Sequence, residues 1–332
     1  MKVLTILSIF LFCLSPLKGQ ESQSEATQEM ANLLARRINT DLAEVRPLIS
    51  PDGKTLYFGR RFSPNNVRGS KDFQDVWVSH MNEKGEWSDP ANLGSNVNDK
   101  HANAICAISP DGQTAIFYNT YERVSNPLAR ATLENNQWTK PKPITIENFY
   151  NHSQFSDFYV CFKNNKLFMS VERDDSRGDQ DLYISLMDEY GNFQAPINLG
   201  DNINSVGADF APFLAPDGES LFFASFGHKG IGGSDIYVSH RLDDTWTKWS
   251  NPVNLGPMVN SKNNEVYFSL TGDFRYLYLD RLNPMEDKRD IAVMMVPDEI
   301  RPRQFQEATQ APKISYHSDL GSMIVSAANH EY

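Results

Sequence analysis

A twenty-residue unit returns five times along this chain, and that return limits the fold more than any other feature. Its fullest copy is Asn204 to Phe223, NSVGADFAPFLAPDGESLFF. Copies begin at Asn39, Asn98, Asn151, Asn204 and Asn260, at spacings of 59, 53, 53 and 56 residues. Eleven positions after each Asn the chain reaches a turn. It is Pro-Asp-Gly at 51–53, 110–112 and 216–218, with Lys163-Asn164-Asn165 and Gly272-Asp273 in the other two copies. Pro presets φ at the first turn position, and Asp and Gly accept the conformations that follow, so each is a tight β-turn.

An aromatic or aliphatic strand follows each turn, as in Leu56-Tyr57-Phe58 and Leu221-Phe222-Phe223. A third strand opens on Asp75, Asp181, Asp235 and Asp290, with Asn126-Pro127-Leu128 in its place in the second copy. The recurrence of that Asp points to a side-chain cap on the loop backbone rather than to a single active site. A last strand opens on an aromatic residue and often ends Asn-Leu-Gly: Trp87 to Gly94, Trp138 to Thr145, Phe193 to Gly200 and Trp249 to Gly256. The recurring Trp87, Trp138 and Trp249 read as core. Four short strands in 50 to 59 residues is the scale of a propeller blade, and short apolar runs between turn formers exclude a helical array.

The expected fold is therefore all-β, a five-bladed β-propeller of four-stranded blades over 28–299. The blades lie near 39–94, 98–145, 151–200, 204–256 and 260–299. The fifth lacks a last strand. Residues 28–34 can supply it, because Asn32-Leu33 precedes Asn39 by seven residues where the other copies have six. The N-terminal segment would then close the ring and leave no open edge. Met, Ala, Leu and Arg between Glu29 and Arg37 also favour a short helix. Residues 300–332 carry no repeat and read as a tail.

Ser-Pro-Asp-Gly-Lys-Thr-Leu-Tyr-Phe at 50–58, Ser-Pro-Asp-Gly-Gln-Thr-Ala-Ile-Phe at 109–117 and Gly-Gly-Ser-Asp-Ile-Tyr-Val at 232–238 resemble the TolB-type, WD-repeat-like propeller repeats of bacterial envelope proteins. The resemblance covers roughly Asn32 to Val296. It implies a propeller that binds proteins or cell-envelope polymers, although no peptidoglycan-binding domain accompanies it.

Residues 1–20 read as a secretory signal, with Lys2 ahead of the apolar run Val3 to Leu14 and a break at Pro16 to Gly19. That run is too short to span a bilayer, so no membrane span is expected. The expected location is exported, periplasmic or extracellular. A net charge of -11 without a basic stripe argues against nucleic acid. Beyond Cys13, in the leader, the two cysteines Cys106 and Cys161 fall in apolar strands and read as buried thiols. No metal site, nucleotide fingerprint or Gly-x-Ser-x-Gly motif is present. No cofactor is expected, a cation at the channel mouth being the one alternative.

Five residues after each landmark Asn come Glu44, Asn103, Ser156, Asp209 and Glu265, with Asp157 adjacent to the third. The expected binding residues are Glu44, Asn103, Asp209 and Glu265 at the channel mouth, with Arg60, Arg123, Arg173 and His228 on the loops. The leading expectation is a non-enzymatic propeller that binds a protein partner or an envelope glycan through its loop face. The alternative is a carbohydrate-active enzyme of the glycoside hydrolase kind, with catalytic carboxylates among Glu44, Asp157, Asp209 and Glu265.

Overall fold

The computed structural model describes residues 34, 36–118, 126–283, 288–297 and 301. They form five antiparallel sheets arranged as the five-bladed β-propeller that the repeat spacing demands. Blade 1 runs up and down through Glu44–Ile49, Thr55–Arg61, Gln74–His80 and Ala91–Asn92. Blades 3 and 4 repeat this order from the inner strands Asp157–Cys161 and Asp209–Leu214. Blade 2 starts at Ile105–Ile108, and its outer edge is split, since Gln137–Trp138 and Lys142–Ile144 both pair with Leu128–Glu134. Blade 5 comprises Phe268–Leu270, Tyr276–Asn283 and Lys288–Met295 among the described residues. The five inner strands stand around a central channel.

Local chemistry explains why the repeat folds this way. Gly53, Gly112 and Gly218 close the Pro-Asp-Gly turns at φ of 72°, 70° and 75°, a region that costs a side chain energy. The landmark Asn is a clamp. Asn204 accepts from the Leu182 amide at 2.8 Å and donates to the Leu182 carbonyl at 3.1 Å, pinning the third strand of blade 3. Asn98 holds Val76 and Asn260 holds Ile236 in the same way. The Asp that opens the third strand caps its loop as expected. Asp75 accepts from the Val67 amide at 2.7 Å, and Asp181 from the Arg177 amide at 2.9 Å. Trp87, Trp138 and Trp249 are buried between strands, and Cys106 and Cys161 are free and buried.

The N-terminal segment closes the ring. Asn39 clamps Ile291 of blade 5 through bonds of 2.9 and 3.0 Å. Leu34 and Ile38 are buried against Trp77 and Trp87 of blade 1 and Tyr278 and Ile291 of blade 5. In the described part of the segment Leu34, Arg36 and Arg37 are helical, and the Leu34 carbonyl takes the amides of Ile38 and Asn39. The strand expected over 28–34 otherwise lies outside the described residues, as do the leader over 1–20 and the tail beyond 301. No helix among the described residues is long and apolar enough to cross a membrane.

Candidate active site

The positions five residues after the landmark Asn are anchors. The Thr40 amide and hydroxyl donate to the Glu44 carboxylate at 3.1 and 2.8 Å. Ser205 does the same to Asp209 at 2.6 and 3.2 Å, and Ser261 to Glu265 at 2.9 and 2.6 Å. Asn103 accepts from the Asp99 amide at 2.9 Å. Each side chain ties down the turn that leads into its inner strand, and all four are buried. Burial lifts the Glu44 and Asp209 carboxyls above the ordinary carboxylate range, against the pull of Thr40 and Arg60 on the first and of Ser225, Ser205 and His228 on the second.

The loop residues are occupied as well. Arg60 is buried, with its Nε 2.8 Å from Glu44 and its guanidinium over the Trp77 ring. Arg173 lies over the Tyr150 ring at 3.9 Å and donates to the Asn148 carbonyl. The His228 ring packs against Phe223 and Tyr237, with Nε2 2.8 Å from the Ile203 carbonyl. Arg123 lies outside the described residues.

Asp157 behaves differently. Its Oδ1 accepts from Arg46 at 2.7 Å and from the Tyr267 hydroxyl at 3.1 Å, and its Oδ2 from the Ala211 amide at 3.3 Å. These groups come from blades 3, 1, 5 and 4, so the cluster bridges the channel. Arg46 stands at φ 54° in a bulge of its strand, between Val45 and Leu48. The same bulge recurs in blade 4 with Ala211 at φ 49°, so it belongs to the build of the inner strand, and in blade 1 it places Arg46 on the channel wall. The guanidinium also lies 4.0 Å over the Tyr267 ring. Behind them, buried Asp280 accepts from the Arg46 amide at 3.3 Å and from Arg289 at 2.8 Å. It positions the strand without reaching the cavity.

Charge and burial reinforce one another here. Burial alone would lower the Arg46 guanidinium, but Tyr267 and Asp157 hold it above its ordinary value. Burial raises the Tyr267 phenol well above the usual range, so it remains a donor. It also pushes the Cys106 thiol up to about 12, which keeps that neighbour a neutral wall atom rather than a thiolate.

A cavity of about 400 Å³ opens over the cluster, walled by Arg46, Arg61, Phe73, Tyr118, Asp157 and Tyr267 among others. A narrower hollow continues below it between all five inner strands. A larger space of about 570 Å³ lies between blades 1 and 2 at Tyr57, Leu93 and Trp138. No carboxylate or guanidinium lines that space, so the chemistry resides at the channel. No group of three or more metal-ligating side chains occurs among the described residues. Arg46 and Tyr267 were not singled out by sequence reading, although a signal exists. Seven positions after the landmark Asn the copies read Arg46, Ile105, Phe158, Ala211 and Tyr267, and the two polar-tipped members break the apolar row.

No family model and no curated protein matches this chain, so the TolB-type resemblance is carried by the repeat motifs alone. Several solved structures are similar to this chain. An α-L-arabinofuranosidase from Lactobacillus brevis is similar at a TM-score of 0.48 and 12% identity, over 79% of this chain and 93% of that one. An endo-arabinase from Bacteroides thetaiotaomicron gives 0.46 and 13%, over 79% and 97%. An α-L-arabinanase from Penicillium chrysogenum gives 0.47 and 10%, over 78% and 95%. At such identities the likeness is one of fold.

The expectation of a non-enzymatic propeller that binds a protein or envelope glycan through its loop face is corrected. Solved structures similar to the chain include a glycoside hydrolase, an α-L-arabinofuranosidase and two arabinanases. The physical reason lies in the blades, where Glu44, Asn103, Asp209 and Glu265 are buried as turn anchors and Arg60 is buried against Glu44, so that they present no face to a partner.

Proposed function

We propose that this chain is a carbohydrate-active enzyme that hydrolyses a glycosidic bond in the channel cavity, with Asp157 as its reacting carboxylate. The observation that carries this reading is the cluster across the channel. Of the four carboxylates that the sequence offered for catalysis, Asp157 alone lines the cavity. Glycoside hydrolysis needs a fixed carboxylate that acts as base or nucleophile, beside a second group that protonates the leaving oxygen. Asp157 suits the first role, since Arg46, Tyr267 and the Ala211 amide hold its orientation. No second carboxyl lines the described wall, so the assignment is limited to Asp157. Tyr118 and Phe155 add aromatic surface on which a sugar ring can stack. The signal-like stretch at residues 1–20 supports action outside the cytoplasm.

The test is release of reducing ends from a panel of plant, bacterial and fungal polysaccharides by the purified chain, repeated with Asp157→Asn. Turnover that falls at least about 100-fold in the variant is expected. No turnover on any polysaccharide, or turnover that Asp157→Asn leaves unchanged, overturns the reading.

A further inference from the structure

The two arginines in the cavity wall are in different states. Arg46 is neutralised by Asp157 at 2.7 Å. Arg61 closes the second strand of blade 1, and its guanidinium lies over the Phe73 ring at 4.9 Å. Its guanidinium makes a long hydrogen bond, from Nε to the Gln74 side-chain Oε1 at 3.5 Å. Among the described residues no carboxylate comes within salt-bridge distance of it. The wall thus holds two guanidinium groups and one carboxylate, a local excess of one positive charge in a chain whose net charge is -11.

Nothing in blade construction calls for this residue. The positions that match Arg61 in the other copies are Thr120, Glu172, Phe226 and Leu282, which share no chemistry. A repeat-building group would recur, as the landmark Asn does. Burial also lowers the Arg61 guanidinium from its ordinary value, with the Arg46 charge adding to the same direction and Asp280 and Tyr267 opposing it. An anion brought to the cavity would relieve that cost.

We propose that Arg61 is a specificity residue that selects an anionic sugar, bearing a carboxylate or sulfate, for the cavity beside Asp157. The planar fork of a guanidinium matches the oxygens of such a group, and Phe73 packs against the Arg61 guanidinium in the cavity wall. Arg46 cannot serve instead, because its charge is already paired. The inference rests on the reading of the cavity as a sugar site and adds the class of sugar.

The measurement is calorimetric titration of the full chain with oligogalacturonate, its methyl ester and a sulfated oligosaccharide. The ester keeps the ring and removes the charge. An anionic probe should bind about 10- to 100-fold more tightly than the ester, and whichever of the carboxylate or sulfate probes binds identifies the group. Arg61→Gln should erase that difference while ester binding persists, and Arg61→Lys should restore part of it. Should Arg61→Gln fail to fold, a preference halved or better by Arg61→Lys decides the matter. Equal binding of ester and acid by the unaltered chain overturns the anionic class and leaves the sugar reading standing. A preference that survives Arg61→Gln overturns the role of Arg61. No binding of any of the three overturns the anionic class, and the sugar reading then stands or falls on the polysaccharide panel.

Discussion

The anchors five residues after the landmark asparagines and the cluster that bridges the channel are one or two positions apart in sequence. Their roles are opposite. Glu44, Asp209 and Glu265 recur, bond to their own turns and are buried. Arg46, Asp157 and Tyr267 do not recur, bond to other blades and face a cavity. In a repeat protein, a residue that returns in every unit answers a need that every unit has. A residue that departs from its row answers a need of the whole ring. Acidity alone does not separate the two kinds, so the ring of acids read from the sequence held both.

The contrast can be broken most directly at Glu44. Its side chain is fully buried against Arg60, so Glu44→Ala leaves a buried guanidinium without its partner. Chemical denaturation should show a loss of about 3–5 kcal/mol. A loss below about 1 kcal/mol would remove the anchor role.

The clamp asparagines sharpen the comparison within the repeat itself. Asn204→Ala removes paired bonds to Leu182 at a fully buried site and should cost about 2–3 kcal/mol. Asn151 is the departure, since it bonds to Ser153, Phe155 and Glu172 within its own blade and does not pin blade 2. Asn151→Ala should cost about 1 kcal/mol or less. Equal losses in the two unfolding curves would show that the clamp is not what holds neighbouring blades together.

Asp157 should fall on the other side of the comparison. Arg46 keeps 29% of its side chain exposed, so water can take over part of what Asp157→Asn removes. The expected change in unfolding free energy is about 1 kcal/mol, small beside the loss of activity. A loss as large as that of Glu44→Ala would class Asp157 as another anchor.

The smallest effect concerns pH. Burial, with Asp72 alongside, pushes the Asp75 carboxyl up to about 6, against the bonds from Asn92 and Val67. The folded chain then binds this proton more tightly than the unfolded chain does. The resulting contribution to stability is complete below about pH 4 and is lost as pH rises through 6. Urea unfolding followed across that window should show a slope that Asp75→Asn flattens. An unchanged slope would mean that other groups cause it.

Much of the fold was legible because its causes are local. Pro-Asp-Gly makes the turn wherever it stands, and Asp75 caps the loop just before it. The Trp residues are buried because each blade needs bulk at the same place. The closing segment was legible only in part. Asn39 clamps blade 5, but Leu34, Arg36 and Arg37 are helical, and the rest of the strand expected over 28–34 lies outside the described residues. The split edge of blade 2 gave no sequence sign beyond the missing Asn-Leu-Gly and the absent third-strand Asp.

The sequence by itself determined the five blades of a propeller, since turn chemistry, strand pattern and spacing all act within about fifty residues. Only the tertiary structure decided which acids were buried and which one faced the channel. Asp157 meets Arg46 and Tyr267 across separations of 111 and 110 residues, and its meaning depends on that meeting. No local rule spans such a distance. The ring must close before the three side chains have anything to bond to.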